Sequence, residues 1–139
     1  MIRRVFVDCD VILDLLLARH PNFEAATRLF ELFESEELEG HGSPLVFSNL
    51  FYVLRRQIPP QEARNALQKL RRLLRLLPVN EKIVDLALAS SFTDLEDALQ
   101  YYTALTHDLD ALVSRNKRHY KAARIPVLTA EECVALIST

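Results

Sequence analysis

The strongest constraint on the fold is the alternation of short apolar runs with longer stretches of helical spacing. Three apolar runs have the length of buried strands: Val5–Val7, Ala111–Val113 and Ile125–Leu128. Between them, apolar residues recur every three or four positions, which is typical of amphipathic helices. Short strands that alternate with helices predict a parallel sheet covered by helices on both faces.

The helical stripes divide the rest of the chain. The predicted helices cover Val11–Ala18, Phe23–Phe33, Phe47–Leu54, Ala63–Leu77, Ile83–Ala89 and Leu95–Leu105, and a last one starts within Thr129–Glu132. Thr93–Glu96 has the T-x-x-E pattern of a capping box before the sixth of these helices. A further short strand is plausible near Leu76–Val79, where helix and strand are hard to separate. The glutamate-rich stretch that ends at Gly40 is interpreted as the solvated end of a helix.

Length and composition restrict the class of protein. The chain has 139 residues, the size of one domain, so we expect a single domain spanning 1–139. Half of the residues are apolar and 26% are charged, which excludes a disordered or collagen-like chain. A net charge of −2 argues against a generic nucleic-acid coat protein, and two cysteines argue against a zinc ribbon or disulfide framework. No secretory signal or membrane span is evident, so a cytoplasmic protein is expected.

Acidic residues follow the predicted strands and open the predicted helices. Asp8 comes directly after the first strand, and ligands of open parallel sheets bind beyond the carboxyl ends of strands. If the strand Ala111–Val113 is its neighbour, the segment that follows it opens onto the same crevice. Asp97 lies in the first turns of a helix, with Asp94 three residues earlier on the same face. Converging carboxylates repel each other unless a divalent cation, Mg²⁺ or Mn²⁺, keeps them ionised. Such a site can activate water for phosphodiester cleavage.

Other interpretations of the acids remain open at this point. Asp94 and Glu96 are also ordinary residues for the start of a helix. Asp14 lies among leucines and would be a buried acid paired with an arginine. Asp108 and Asp110 are typical of a turn before a strand. Asp8 differs from these because an acid at the end of a buried strand has neither a helix nor a turn to explain it.

A basic segment follows the strand Ala111–Val113. Five basic residues and no acid lie between Arg115 and Arg124, with His119 and Tyr120 inside the run. A basic loop beside an acidic metal crevice suits a phosphate backbone. The alternative is a loop that is merely solvated.

Four segments, taken in order, resemble the motifs of the PIN domain, a nuclease-like fold found in bacterial toxin–antitoxin ribonucleases. They are FVDCDVILDLLL (Phe6–Leu17), SPLVFSNLFYVLRR (Ser43–Arg56), DLEDALQYYTA (Asp94–Ala104) and ALVSRNKRHY (Ala111–Tyr120), followed by PVLTAEE (Pro126–Glu132). The resemblance implies an α/β fold of three layers, α/β/α, with a central parallel sheet. It also implies metal-dependent RNA cleavage by an acidic quartet.

Residue by residue, the resemblance assigns Asp8 and Asp97 as metal-binding acids, with Asp10, Asp14 and Asp94 available as auxiliaries. Asn49 stands where the second motif has Glu, and His119 stands where the fourth motif has Asp. The resemblance implies that Asn49 and His119 complete or orient the shell of a weakly bound Mg²⁺ or Mn²⁺.

Partners and rival functions follow from the same resemblance. Arg115, Asn116 and Lys117 are expected to contact RNA phosphate. An antitoxin protein and a second copy of the chain are the other expected partners, the latter through a helical face such as Phe47–Phe51–Leu54. The alternative is a degenerate PIN-fold protein that binds RNA or a protein without cleavage. A receiver-like or phosphoryl-transfer domain is a weaker interpretation because the chain has no Gly-rich phosphate loop.

Overall fold

The computed structural model describes residues 1–138, and its centre is a five-stranded parallel sheet. The strands are β1 (Arg4–Val7), β2 (Glu39–Gly42), β3 (Leu74–Leu76), β4 (Ala111–Val113) and β5 (Val127–Leu128). Their order in the sheet is β3-β2-β1-β4-β5, so β1 is central and β4 is its neighbour. All four strand pairs are parallel, which confirms the predicted sheet.

Helices connect the strands and give the three-layer α/β/α architecture. They are α1 (Cys9–Leu16), α2 (Phe23–Glu34), α3 (Pro44–Leu54), α4 (Pro60–Leu73), α5 (Glu81–Leu88), α6 (Leu95–Thr106) and α7 (Ala130–Ser138), with a 3₁₀ helix at Lys117–Tyr120. Among the described residues, no helix is long and apolar enough to cross a membrane. The predicted domain extends to residue 139, which lies outside the described residues.

The core forms around the two central strands. Val5–Val7 of β1 and Ala111–Val113 of β4 are completely buried. Strands buried on both faces must be apolar at every position, which is why these runs were visible in the sequence. The N–H of Asp8 donates to the carbonyl of Val113 at 2.9 Å, so the pairing continues one residue beyond β1. Asp8 is thereby fixed at the carboxyl edge of the sheet.

Side-chain caps mark where four helices begin, among them α5, where Asn80 accepts from the N–H of Ile83. The Ser43 hydroxyl accepts from the N–H of Val46 at the start of α3, and the Asp94 carboxylate accepts from the N–H of Asp97 at the start of α6. The capping box predicted at Thr93–Glu96 is therefore wrong by one residue, because Asp94 is the N-cap. At α7 a capping box does form between Thr129 and Glu132.

The sheet also corrects the interpretation of two segments. The stretch Glu39–Gly42 is β2, where only the solvated end of a helix was expected. A Cβ at Gly40 would lie 2.6 Å from the Phe33 ring, so glycine allows β2 to pack closely under α2. Strand β3 begins at Leu74, within the predicted helix Ala63–Leu77 and two residues before the predicted strand.

The apolar face suggested for dimer formation is also corrected. Leu54 is completely buried, and Phe47 and Phe51 pack against the core of the same chain. These residues pack α3 against the interior of the protein, so the complete face Phe47–Phe51–Leu54 cannot contact a second copy.

Candidate active site

Asp8 is buried at the carboxyl edge of the sheet and is held by two hydroxyl groups. The Ser114 hydroxyl donates to Oδ2 of Asp8 at 2.8 Å, and the Tyr120 hydroxyl lies 3.3 Å from the same oxygen. Only 6% of Asp8 is exposed. Burial raises the pKa of the Asp8 carboxyl, and the hydrogen bond from Ser114 opposes that shift. The side chain is therefore oriented for a ligand and is poorly solvated.

Asp97 shares the Tyr120 hydroxyl with Asp8. That hydroxyl lies 3.3 Å from Oδ1 of Asp97, so the two carboxylate oxygens are separated by no more than twice this distance. A single phenolic proton cannot satisfy both carboxylates at once. Burial, followed by the charges of Asp94 and Asp8, raises the pKa of Asp97 to about 6. The structure thus places these two predicted metal acids together in one crevice.

His119 closes one side of this crevice. Its Nδ1 lies 3.0 Å from Oδ2 of Asp97, and its side chain is about half exposed. The 3₁₀ helix Lys117–Tyr120 explains the arrangement, because it turns Tyr120 inward under the two acids and leaves His119 beside Asp97. The protonated imidazole forms an ion pair with Asp97, and the neutral imidazole has a lone pair available to a metal.

Asn49 on α3 contacts a carboxylate that was not among the predicted site residues. Its side chain lies near Glu96, the second residue of α6, and lowers the pKa of that carboxyl. Burial, then the charges of Asp94 and Asp8, raises the pKa of Glu96. A third carboxylate therefore lies on the Asn49 side of the crevice. The signal in the sequence was the run DLED, in which neighbouring acids of one helical turn point in different directions.

The predicted phosphate-binding loop is engaged with acids of its own chain. The guanidinium of Arg115 lies 3.1 Å from Asp14, and Lys117 lies 3.0 Å from Glu132. The amide of Asn116 donates to Asp10 at 3.3 Å. These contacts fix the loop at the mouth of the crevice, and an approaching phosphate would compete with them.

Asp14 is the buried, paired acid that the sequence predicted. It is 1% exposed, and its two oxygens contact the guanidinium groups of Arg19 and Arg115, each at 3.1 Å. Burial raises the pKa of Asp14 against the opposing effect of both arginines. Asp14 therefore connects α1 to the basic loop and lies among arginines, away from the acids of the crevice.

The carboxylate oxygens are the type of donor that a hard divalent cation binds, although they do not converge on a single point. Within residues 1–138, no three His, Cys, Asp or Glu side chains converge closely enough to form a ready-made metal site. Two buried carboxylates with raised pKa values, with Glu96 and Asp94 nearby, nevertheless repel one another. A cation bound between them would remove that repulsion, and oxygen donors suit Mg²⁺ or Mn²⁺.

The segment that contains β1 to β4 and these acids matches a known protein family. A family model described as a PIN domain matches residues 4–118, from β1 to the basic loop. The chain belongs to the PIN domain family. The predicted family is therefore confirmed, and the matched segment contains Asp8, Asn49 and Asp97 but stops one residue before His119.

Relatives and solved structures of similar fold are known. The PIN chain is 28% identical to Ribonuclease VapC1 of Aquifex aeolicus (strain VF5) over 134 residues, which cover 93% of this chain and 92% of that protein. It superposes on FitAB bound to an IR36 DNA fragment with a TM-score of 0.72, at 16% identity over 91% of this chain and 95% of the other. For a toxin-antitoxin complex from Klebsiella pneumoniae the TM-score is 0.67, at 21% identity over 92% and 98% of the two chains. At such identities the structural likeness establishes the fold.

Proposed function

We propose that this PIN domain protein is a metal-dependent ribonuclease of the toxin type, active on the phosphodiester backbone of RNA. The observation that carries the proposal is the Tyr120 hydroxyl shared by Asp8 and Asp97, which places two buried carboxylates in one crevice. The similarity to Ribonuclease VapC1 supports RNA as the substrate.

Asp8 and Asp97 would hold the cation, with Asp94 and Glu96 contributing negative charge. When bound, Mg²⁺ or Mn²⁺ stabilises charge on a phosphoryl oxygen and lowers the pKa of water. Asn49 would orient Glu96 by the polar contact that lowers the pKa of that carboxyl, and the absence of a carboxylate at position 49 would make cation binding weak.

The remaining polar groups would position the substrate and the acids. Ser114 fixes the rotamer of Asp8, and His119 would hold Asp97 or a phosphate oxygen, depending on its protonation. Arg115, Asn116 and Lys117 would bind backbone phosphate by exchanging their present carboxylate partners for it.

A second candidate function is RNA or protein binding without cleavage. It is favoured by two observations: Arg115 and Lys117 are already paired with acids, and the described residues contain no ready-made three-donor cluster. Both functions are compatible with an antitoxin partner, which we propose on the basis of the toxin-antitoxin complex of similar fold. A homodimer and a cytoplasmic location stay predictions.

The test is cleavage of a fluorescent single-stranded RNA with Mg²⁺ or Mn²⁺ and with EDTA. The wild type should cleave only with metal, and Asp8→Asn should reduce the rate at least 100-fold, which corresponds to roughly 2.7 kcal/mol. Asp108→Asn is the matched control, because Asp108 lies in the turn after α6, where Asn tolerates its left-handed backbone (φ 55°). RNA binding without metal-dependent cleavage would favour the second candidate.

A further inference from the structure

A cleft of about 230 Å³ lies between α3 and α6, next to the acidic crevice. Asn49 and Glu96 line it, and the charges of Asp94 and Asp8 act on Glu96, so the cleft and the crevice share a wall. Leucine side chains supply the apolar surface of the cleft, and two of them, Leu45 and Leu95, are substantially exposed. The cleft is thus apolar, has a polar side towards the acids, and is accessible from solvent.

Gln100 lines this cleft with an amide that has no partner. Gln100 is 4% exposed, and neither Nε2 nor Oε1 has a hydrogen-bond partner within residues 1–138. Neither of the nearby hydroxyls is bonded to this amide: Thr103 donates to the carbonyl of Leu99, and Ser43 accepts from the N–H of Val46. Buried side-chain amides in native proteins are nearly always hydrogen-bonded. The unsatisfied donor and acceptor of Gln100 therefore point to a ligand that presents the complementary pair.

We infer that the cleft binds the adenine base of the RNA nucleotide beside the scissile phosphate, and that Gln100 determines this specificity. The inference rests on the proposed ribonuclease function. Proteins read single-stranded RNA by binding splayed-out bases between side chains and hydrogen-bonding to their edges. A glutamine amide donates to N7 of adenine and accepts from its N6 amino group.

The size and charge of the cleft select adenine among the four bases. Sites for drug-sized ligands have volumes of about 300–1,000 Å³. A cleft of about 230 Å³ therefore suits one nucleobase rather than a larger ligand. At the exocyclic position that Gln100 would read, adenine and cytosine carry an amino group, which the Glu96 carboxylate attracts, whereas guanine and uracil carry a carbonyl oxygen, which it repels. Cytosine also carries an amino group, but its single ring fills less of the cleft than a purine does.

The experiment uses uridine-rich RNA 12-mers with one variable nucleotide: adenosine, guanosine, cytidine, 7-deazaadenosine or purine riboside. The last two remove the N7 acceptor and the N6 donor separately. Cleavage next to the variable nucleotide is measured with Mn²⁺, and equilibrium binding of the same oligonucleotides is measured by fluorescence anisotropy in EDTA. Wild type should prefer adenosine to both analogues by about 5- to 100-fold, the effect of one bidentate pair.

Gln100→Leu tests the residue directly and keeps a similar volume. Because it removes an unsatisfied buried amide, this variant should fold, unfold at an equal or higher temperature, and lose the adenosine preference in both assays. Gln68→Leu, at an exposed position of α4, is the matched control and should keep the preference. Gln100→Glu, which cannot donate to N7, should reduce the discrimination between adenosine and 7-deazaadenosine.

Two results separate this inference from the proposed function. Metal-dependent cleavage with the same base preference in wild type and Gln100→Leu would overturn the inference and leave the ribonuclease intact. Adenosine-selective binding that Gln100→Leu abolishes, without any cleavage, would support the inference and overturn the ribonuclease.

Discussion

Asp97→Asn should stabilise the metal-free protein above pH 6, because it removes a carboxylate that burial and two neighbouring acids destabilise. The pKa of Asp97 is raised from 3.8 to about 6, a difference of roughly two units. At about 1.4 kcal/mol per unit, the ionised side chain costs the folded state up to about 3 kcal/mol. The side chain is only 12% exposed, so solvent screening removes little of this cost.

The sign of the pH dependence follows from proton linkage. Between pH 3.8 and about 6 the folded state binds more protons at Asp97 than the unfolded state does. The stability of the wild type should therefore fall as the pH rises through this window and level off above it. Relative to Asp97→Asn, the wild type should lose about 2 kcal/mol between pH 4 and pH 7.

The assay is urea denaturation in EDTA from pH 4 to pH 8, repeated at pH 8 with Mn²⁺. Asp108→Asn, at the exposed turn after α6, is the control for the same substitution outside the crevice. Added Mn²⁺ should stabilise the wild type more than Asp97→Asn, because a cation that binds the folded state stabilises it by mass action. An Asp97→Asn variant that is less stable than the wild type at pH 8 in EDTA would refute the claim of electrostatic repulsion in the crevice.

Three further predictions concern the fold and the site. Gly40→Ala should lower the free energy of unfolding by about 1–3 kcal/mol because its Cβ would lie 2.6 Å from the Phe33 ring. Gly42→Ala, whose Cβ would lie 3.7 Å from Leu74, should stay within about 1 kcal/mol of wild type, and equal urea midpoints for the two variants would contradict this. Asp14→Asn should change the free energy of unfolding by less than about 1 kcal/mol, because burial raises the pKa of Asp14 despite both arginines, so the ion pairs and the cost of burial nearly offset each other; a loss above about 2 kcal/mol would show that the pairs dominate. His119→Asp should strengthen Mg²⁺ binding in calorimetry by adding a hard oxygen donor beside the crevice, and unchanged affinity would place position 119 outside the cation site.

The centre of the fold could be predicted because its strands are buried on both faces. β1 and β4 are continuous apolar runs, and this pattern alone predicts buried parallel strands. β2 has the sequence EGHG and therefore has no apolar run that would predict a strand. Its position depends on the close contact of Gly40 with α2. β3 directly follows α4, and its leucines continue the helical spacing of that helix. The sequence pattern therefore does not show where the helix ends and the strand begins.

The residues of the candidate site could also be predicted only in part. Asp8 was visible because an acid after a buried strand has no structural explanation, and Asp97 was assigned through the resemblance. Glu96 was interpreted as a residue of the helix start. Its proximity to Asn49 could not be predicted, because the two residues lie on helices that are distant in sequence. Arg115 and Lys117 pair with acids that lie elsewhere in the chain. The sequence therefore showed the run of basic residues but not their ion pairs.

The central claim is that Asp8 and Asp97 bind one divalent cation. The most direct test is anomalous diffraction from crystals soaked in Mn²⁺ at pH 8, where Asp97 is ionised. The account predicts one manganese peak about 2.1 Å from a carboxylate oxygen of each residue, the distance of a small octahedral cation from its ligands. A manganese bound elsewhere, or a crevice whose two carboxylates stay on the Tyr120 hydroxyl at saturating Mn²⁺, would contradict it.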